Sequence, residues 1–447
     1  MAVKKNSSVP FLLLLMLPVA AQAIEVKPRL EAEGRWFYET ENADDDAPVL
    51  GSLAGTLEFY QDWDGGRRVV GEIFHRYDEN DETRTHGDVR ELYFQQSGDD
   101  FEFRLGARRV FWGVTESRHL VDVVNQSDFV ENISNELKLG QPVASLAWIG
   151  DVGATEFFLM PYQRARTFPG DKGYPRLPLR VHEHEAVYES QDEQEHVDYA
   201  VRWNGSFGPV DLGVAWFDGT AREPRLLPCV RRGASTATVN NPGAPNCNRA
   251  NDYIDSFQMP PPTIPPQTTP EIEAQFAAEV AANLVLVPFY DLWRQASIDA
   301  QYVTGSMAWK LEAVRRTTLR ETTWGTVAGF EYTFGDVRGS GIDIGVLGEY
   351  LWDEKRTALN SLFDDEVFAG MRLALNDVAG TSVLAGVLAD AEDGKHLRYG
   401  LEVSGRLNDD WKLSGELRAF SQWDESLEAT GFLADQDFAT ITLERFF

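Results

Sequence analysis

Cysteine is nearly missing, with 2 residues in 447. That excludes a small scaffold held together by disulfides and a cysteine-rich metal protein. Beyond Ala23 no stretch approaches the roughly 18 consecutive apolar residues of a membrane-spanning helix. Basic residues are outnumbered, 41 Lys and Arg against 71 Asp and Glu, for a net charge of -30. No basic stripe is present to meet phosphates, so nucleic acid is excluded as a partner. No phosphate-binding P-loop and no nucleophile elbow occur, and the metalloprotease helix spacing around His182 and His184 fails because position 186 is Ala. Neither an enzyme nor a cofactor is therefore expected. An apolar share of 43% nevertheless excludes a disordered chain.

What is present begins with a targeting segment. Lys4 and Lys5 precede an apolar run from Pro10 to Ala20, followed by Ala21-Gln22-Ala23. A charged start, a short apolar stretch and a small-x-small site make residues 1–23 a secretory signal peptide, with a mature chain from Ile24. An exported chain without a spanning helix either stays in solution or inserts as strands.

Alternation favours insertion. From Glu25, charged residues at Lys27, Arg29, Glu31, Glu33 and Arg35 alternate with Val26, Leu30, Ala32, Gly34 and Trp36. Consecutive strand side chains point to opposite faces, so one face is charged and the other apolar. The pattern recurs over 340–353, 396–408 and 410–422. Runs of roughly 10–13 residues match a tilted strand crossing hydrocarbon, where ordinary strands hold about five or six. Such segments fall near 25–38, 51–63, 67–77, 88–96, 101–112, 142–150, 153–163, 196–205 and 208–218. They resume near 291–303, 306–318, 322–334, 340–353, 365–376, 381–390, 396–408, 410–422 and 436–447. The expected fold is all-β: a transmembrane antiparallel barrel of about 18 strands (16–18), occupying residues 24–447.

The joints agree with that fold. Asp64-Gly65-Gly66, Ser97-Gly98-Asp99-Asp100, Gly205-Ser206-Phe207-Gly208 and Leu407-Asn408-Asp409-Asp410 are turn clusters, and longer polar connections such as 39–50, 164–195, 219–290 and 423–435 alternate with them. Short periplasmic turns opposite long extracellular loops characterise single-chain outer-membrane barrels. The expected location is the outer membrane of a Gram-negative bacterium, with lipids and lipopolysaccharide as partners. Acidic runs such as Asp44-Asp45-Asp46, Asp78-Glu79 and Asp81-Glu82 serve either solubility or divalent-cation bridging to that lipopolysaccharide. Trp36, Trp63, Trp352 and Trp411 stand at segment ends, as interfacial girdles require. The terminal Phe447 resembles the closing signature of outer-membrane proteins, which implies recognition by the barrel-insertion machinery; Arg445 departs from it by interrupting the apolar face.

The charged face supplies pore-lining candidates: Arg29, Glu31, Arg35, Glu58, Lys310, Glu312, Glu349, Arg372, Arg398, Glu402, Arg406, Glu416 and Arg418. They would either set a transverse field across a constriction or pair into ladders that stiffen the wall. Residues 113–141 lose the alternation and form either a surface loop or a segment folded into the lumen, with His119, Asp122, Asn125 and Asp128 as constriction candidates. The run from Leu105 to Pro142, through Leu105-Gly106, Arg108, Trp112-Gly113, Asp122, Asn125 and Asp128, resembles a segment of poorly characterised porin-like outer-membrane barrels, distantly similar to alginate-export-type barrels. Gly106-Ala107-Arg108 replaces the Gly-Arg-Gln of those relatives. The resemblance implies a barrel and assigns no substrate.

Residues 219–290 are expected to form a long extracellular loop. It carries Cys229 and Cys247, which an oxidising compartment would join, and a short amphipathic helix over 271–284. His182, His184 and His196 lie among Glu183, Glu185 and Glu195, as a zinc site or, more simply, a solvated acidic loop. The expected function is passive diffusion of small polar or charged solutes. A specialised exporter or importer of a polymer or lipid-like substrate and an adhesin or surface-binding barrel stand as alternatives, and a homo-oligomer is compatible with all three.

Overall fold

A computed structural model describes residues 24–38, 49–132, 136–170, 172–174, 177, 179–230, 284–354, 365–392, 394, 396–421 and 436–447. The signal peptide, Asp44-Asp45-Asp46, Cys247 and nearly all of the 271–284 helix lie outside the described residues. Extended strands occupy β1 (Glu25–Phe37), β2 (Val49–Trp63), β3 (Arg67–Asp78), β4 (His86–Ser97), β5 (Phe101–Arg108), β6 (Gln141–Gly150) and β7 (Gly153–Met160). After the short β8 (Val187–Tyr188) come β9 (Asp198–Phe207), β10 (Val210–Thr220), β11 (Arg225–Val230), β12 (Leu284–Tyr290) and β13 (Leu292–Thr304). The chain continues through β14 (Met307–Thr317), β15 (Thr322–Phe334), β16 (Asp343–Asp353) and β17 (Asp365–Ala374). It finishes with β18 (Ser382–Asp390), β19 (Leu397–Arg406), β20 (Trp411–Ser421) and β21 (Phe438–Phe446).

Leaving aside β8, β11 and β12, these strands form one antiparallel sheet of 18. Each pairs with its sequence neighbours, and β21 returns to β1 with Arg29 opposite Phe446 and Phe37 opposite Phe438. The sheet is therefore a closed barrel with no free edge. The expected count and every expected segment are met, with boundaries shifted by a few residues. One turn sits later than the Gly205–Gly208 cluster indicates: β9 runs to Phe207, and the reversal uses Gly208 at φ +60° with Pro209 before β10.

Side chains follow the pleat. Leu53, Leu57, Ile73, Leu105, Phe157, Val346, Leu401 and Ile441 are exposed on the outer face. So large an apolar band is unfavourable in water and matches the hydrocarbon-facing surface of a membrane barrel. Arg445 also points outward, over the rings of Trp411 (5.4 Å) and Phe447 (4.5 Å). The charge that breaks the terminal apolar face thus lies at the short-turn end within an aromatic cluster, where an interfacial cation is tolerated.

A bulge in β4 alters the inward pattern. Glu72 faces Glu91 and Ile73 faces Val89, leaving Arg90 as the extra residue. A bulge re-aims side chains, and here Arg90 is buried inside with its guanidinium 3.6 Å above the Phe74 ring. At the long-loop end β11 pairs antiparallel with β12, and β12 pairs parallel with β8. Val187, Leu227, Val285, Val287 and Phe289 give this small sheet its own apolar core.

Candidate functional site: the lumen and its in-folded segment

The stretch 109–140 between β5 and β6 folds into the barrel. Its ends are tied by Asn125, whose Oδ1 accepts from the Val110 N–H (2.8 Å) and whose Nδ2 donates to the carbonyls of Arg108 (2.8 Å) and Leu139 (2.9 Å). Of the two expectations for this stretch, the in-folded one holds. One side of it is apolar: Val110, Trp112, Leu120, Val121, Val123 and Val124 pack on inward residues of the wall such as Phe158, Phe217, Trp293, Val314 and Leu351. Part of the interior is consequently an apolar core, which the expected charged face does not foretell.

Carboxylates on the same wall, one inward position from Val314 and Leu351, fix the polar groups of the segment. Glu312 on β14 accepts from the N–H groups of Val114 (2.8 Å), Thr115 (3.1 Å) and Val121 (3.2 Å) and from the Thr115 hydroxyl (2.7 Å). Glu349 on β16 accepts from the N–H groups of Glu116 (2.7 Å) and Ser117 (2.8 Å) and from the Ser117 hydroxyl. A third hold is the ion pair of Arg372 with Glu116 (2.7 Å). Glu312 and Glu349, expected to line the pore, are instead buried anchors of the in-folded segment. A loop rich in unpaired N–H groups needs acceptors once it leaves water, and inward-facing carboxylates supply them.

The remaining lining candidates are mostly paired. Arg29 meets Glu444 (3.4 Å), Lys310 meets Glu331 (3.1 Å), Arg398 meets Glu366, and Arg418 bridges Glu402 (2.5 Å) and Glu416 (2.6 Å). Arg35 is buried, donating to Thr440 (3.3 Å) beside Glu33 (3.6 Å). Glu31 pairs with Arg76 (2.5 Å). Glu58 is exposed, opposite Lys27 and Glu72 in register. Arg406 is exposed near the short-turn end, over the Phe446 ring (5.1 Å).

The constriction candidates all lie on the in-folded segment. Asp122 pairs with Lys138 (3.2 Å), and Asp128 accepts from the Thr167 hydroxyl (3.0 Å). His119 lies 3.7 Å from Glu312 with its ring edge-on to Phe111. Burial pulls the His119 imidazole down, but the neighbouring Glu312 carboxylate outweighs it and the pKa is raised overall. The pair therefore contributes fully below the usual imidazole value of about 6.5 and is lost as pH rises through the raised value. Channel current should increase with pH across that window, and H119Q should remove the dependence in bilayer recordings.

The sequence pattern had not singled out Arg76 or Arg84, the partners of Glu131 and Glu33. Arg76 is 4% exposed and joins Glu31 (2.5 Å), Glu33 (3.7 Å) and Glu131 of the in-folded segment (3.0 Å), while Arg84 joins Glu33 (2.8 Å) and Asp78 (3.0 Å). Arg76 follows Glu72 and Phe74 on the inward register of β3, so alternation alone would have found it. Asp78 and Asp81, expected as solvated or cation-bridging acids, are buried acceptors instead. Asp78 takes the Asn80 and Asp81 N–H groups, and Asp81 takes those of Thr83 and Gly170. His184 is almost fully exposed and His196 pairs with Asp198 (2.9 Å); among the described residues no cluster of three or more potential ligands is placed to hold a metal.

Between the segment and the wall of β1, β3 and β17–β21 a cavity of about 690 Å³ remains, bordered by Arg29, Arg35, Arg76, Glu402, Glu416 and Glu444 among others. A second chamber of about 280 Å³ lies among Arg118, His119, Trp293, Phe368, Leu388 and Arg418.

No protein-family model matches the chain, and no curated protein is similar to it. Among solved structures, one described under asymmetric conductivity of engineered proteins is 12% identical over 95% of this chain and 100% of its own, with a TM-score of 0.41. A triple mutant of the Rhodopseudomonas blastica porin is 10% identical over the same shares, also at 0.41. The barrel assignment stands on the strand pairing described above.

Proposed function

We propose that the chain is a constricted outer-membrane channel for small polar or charged solutes. The observation that carries this reading is the anchored segment, residues 109–132 and 136–140: it packs an apolar core against the wall from β6 to β18 and leaves a charged gap beside β1, β3 and β17–β21. An 18-stranded cylinder is wide enough for water, so the gap beside an in-folded segment sets the size limit. Most wall charges cancel in pairs. The side chains of Arg372 (43% exposed), Lys412 (35%) and Arg29 (27%) reach the gap against Glu402 (43%), so solutes meet both signs and selectivity is local.

The test is the purified protein in a planar bilayer. Discrete conductance steps are expected, and replacing Arg372 and Lys412 together by alanine should move the reversal potential in a salt gradient toward cations. A folded barrel that never conducts would overturn the proposal.

A further inference from the structure

The chamber of about 280 Å³ has an unusual wall for a charged lumen. Trp293, Leu351, Phe368, Leu384, Leu388 and Phe420 border it from five strands, β13, β16, β17, β18 and β20, beside polar residues of the in-folded segment. Trp293 and Leu351 belong to the apolar core under the in-folded segment, and Phe368 and Leu388 pack against it, so the chamber is edged by that core; a cavity with an apolar edge favours an occupant with an apolar part. The arrangement of these side chains is also specific. Gly370, Gly386, Gly400 and Arg418 stand in one register row across β17 to β20. The tip of the Phe368 ring occupies the space over two of these glycines: a Cβ at Gly386 would come within 2.5 Å of it, and one at Gly370 within 2.8 Å. The missing side chains thus let Phe368 lie against the wall.

Charge completes the chamber. Arg398 is matched by Glu366, Lys138 by Asp122, and Arg418 by Glu402 and Glu416. Arg118 differs. Its partner Asp353 (3.4 Å) is already held through both oxygens by Arg316 at 3.0 Å, so two guanidiniums share one carboxylate. Arg118 follows Ser117, whose N–H is held by Glu349, and Glu349 stands opposite Phe368 in register. Arg118 and the Phe368 ring border the same chamber, with Arg118 sharing its carboxylate with Arg316, while Glu402 makes the Arg418 side unfavourable for an anion.

We propose that this chamber is a binding site for aromatic monocarboxylates, with the ring against Phe368 and the carboxylate toward Arg118. The proposal deepens the channel reading by naming the solute class, and it rests on that reading for the meaning of the site. A planar ring gains by stacking on an exposed aromatic face, and a carboxylate by meeting a guanidinium in a partly desolvated site. Neither half suffices alone, so the site should discriminate against acetate, which lacks the ring, and against phenol, which lacks the carboxylate.

The experiment is calorimetric titration of the whole detergent-solubilised protein with benzoate, acetate and phenol, followed by bilayer recording with benzoate on one side. Saturable benzoate binding is expected, at least about tenfold tighter than either control, a difference of about 1.4 kcal/mol. F368A should abolish the preference over acetate and R118Q the preference over phenol. R118Q alters only the in-folded segment, so it reports even if F368A fails to fold. Equal binding of benzoate and acetate by a conducting protein overturns the site and leaves the channel intact. Selective benzoate binding by a barrel that never conducts upholds the site and overturns the channel.

Discussion

Replacing Glu312 by alanine should release the in-folded segment and enlarge the pore. The substitution leaves the N–H groups of Val114, Thr115 and Val121 without their acceptor, while the Thr115 hydroxyl keeps the Arg118 carbonyl. Each buried donor left unsatisfied costs on the order of 1–3 kcal/mol, more than the local packing is expected to absorb. Glu349 and Arg372 would still hold Glu116 and Ser117, so the displacement should begin around Thr115 and Val121. Single-channel conductance should rise roughly twofold or more, because the cross-section of a wide barrel is set by what folds into it. Trypsin should then cut at Arg118 or Lys138, which the intact protein keeps largely buried. Unchanged conductance and unchanged protease resistance would mean that the apolar contacts of Val121 and Val124 hold the segment without the carboxylate.

The second large effect belongs to Arg76. Its guanidinium is 4% exposed and stands among Glu31, Glu33 and Glu131, with the Ser52 hydroxyl accepting at 2.7 Å. Removing one partner of a buried ionic cluster strands the others, at a cost of about 3–5 kcal/mol. R76A should therefore lower the temperature at which the folded barrel loses its compact mobility on gels by many degrees. It should also make the pore more cation-selective, since Glu31 borders the gap and loses its Arg76 partner, while Glu33 keeps Arg84 and Arg35. A variant carrying both R76A and E131A should recover part of the stability, because it removes the most deeply buried stranded carboxylate together with its partner.

Strand periodicity made the cylinder legible, because a charged inner face and an apolar outer face impose a two-residue repeat that few other folds sustain for so long. Arg29, Glu31, Arg398, Glu402 and Arg418 were found on the inner face for that reason. The anchoring roles of Glu312 and Glu349 were not legible, since an inward carboxylate reads the same whether it meets water or a peptide N–H. The in-folded segment has no periodicity of its own, and its Val121, Val123 and Val124 look like ordinary loop residues until the wall that covers them is in place. The β4 bulge was hidden as well: adjacent Arg90 and Glu91 both reach the interior, which strict alternation forbids. The acids Asp78 and Asp81 misled because a buried turn acceptor and a solvated surface acid share the same local sequence.

The apolar filling has a consequence for assembly. Its wall contacts come from the run of strands between β6 and β18, on the side away from the β1–β21 seam. A half-cylinder of successive hairpins can wrap around residues 109–140 as each one forms. Nothing then has to be threaded into a finished tube, and zipping the last strand onto the first closes a vessel whose contents are already in place.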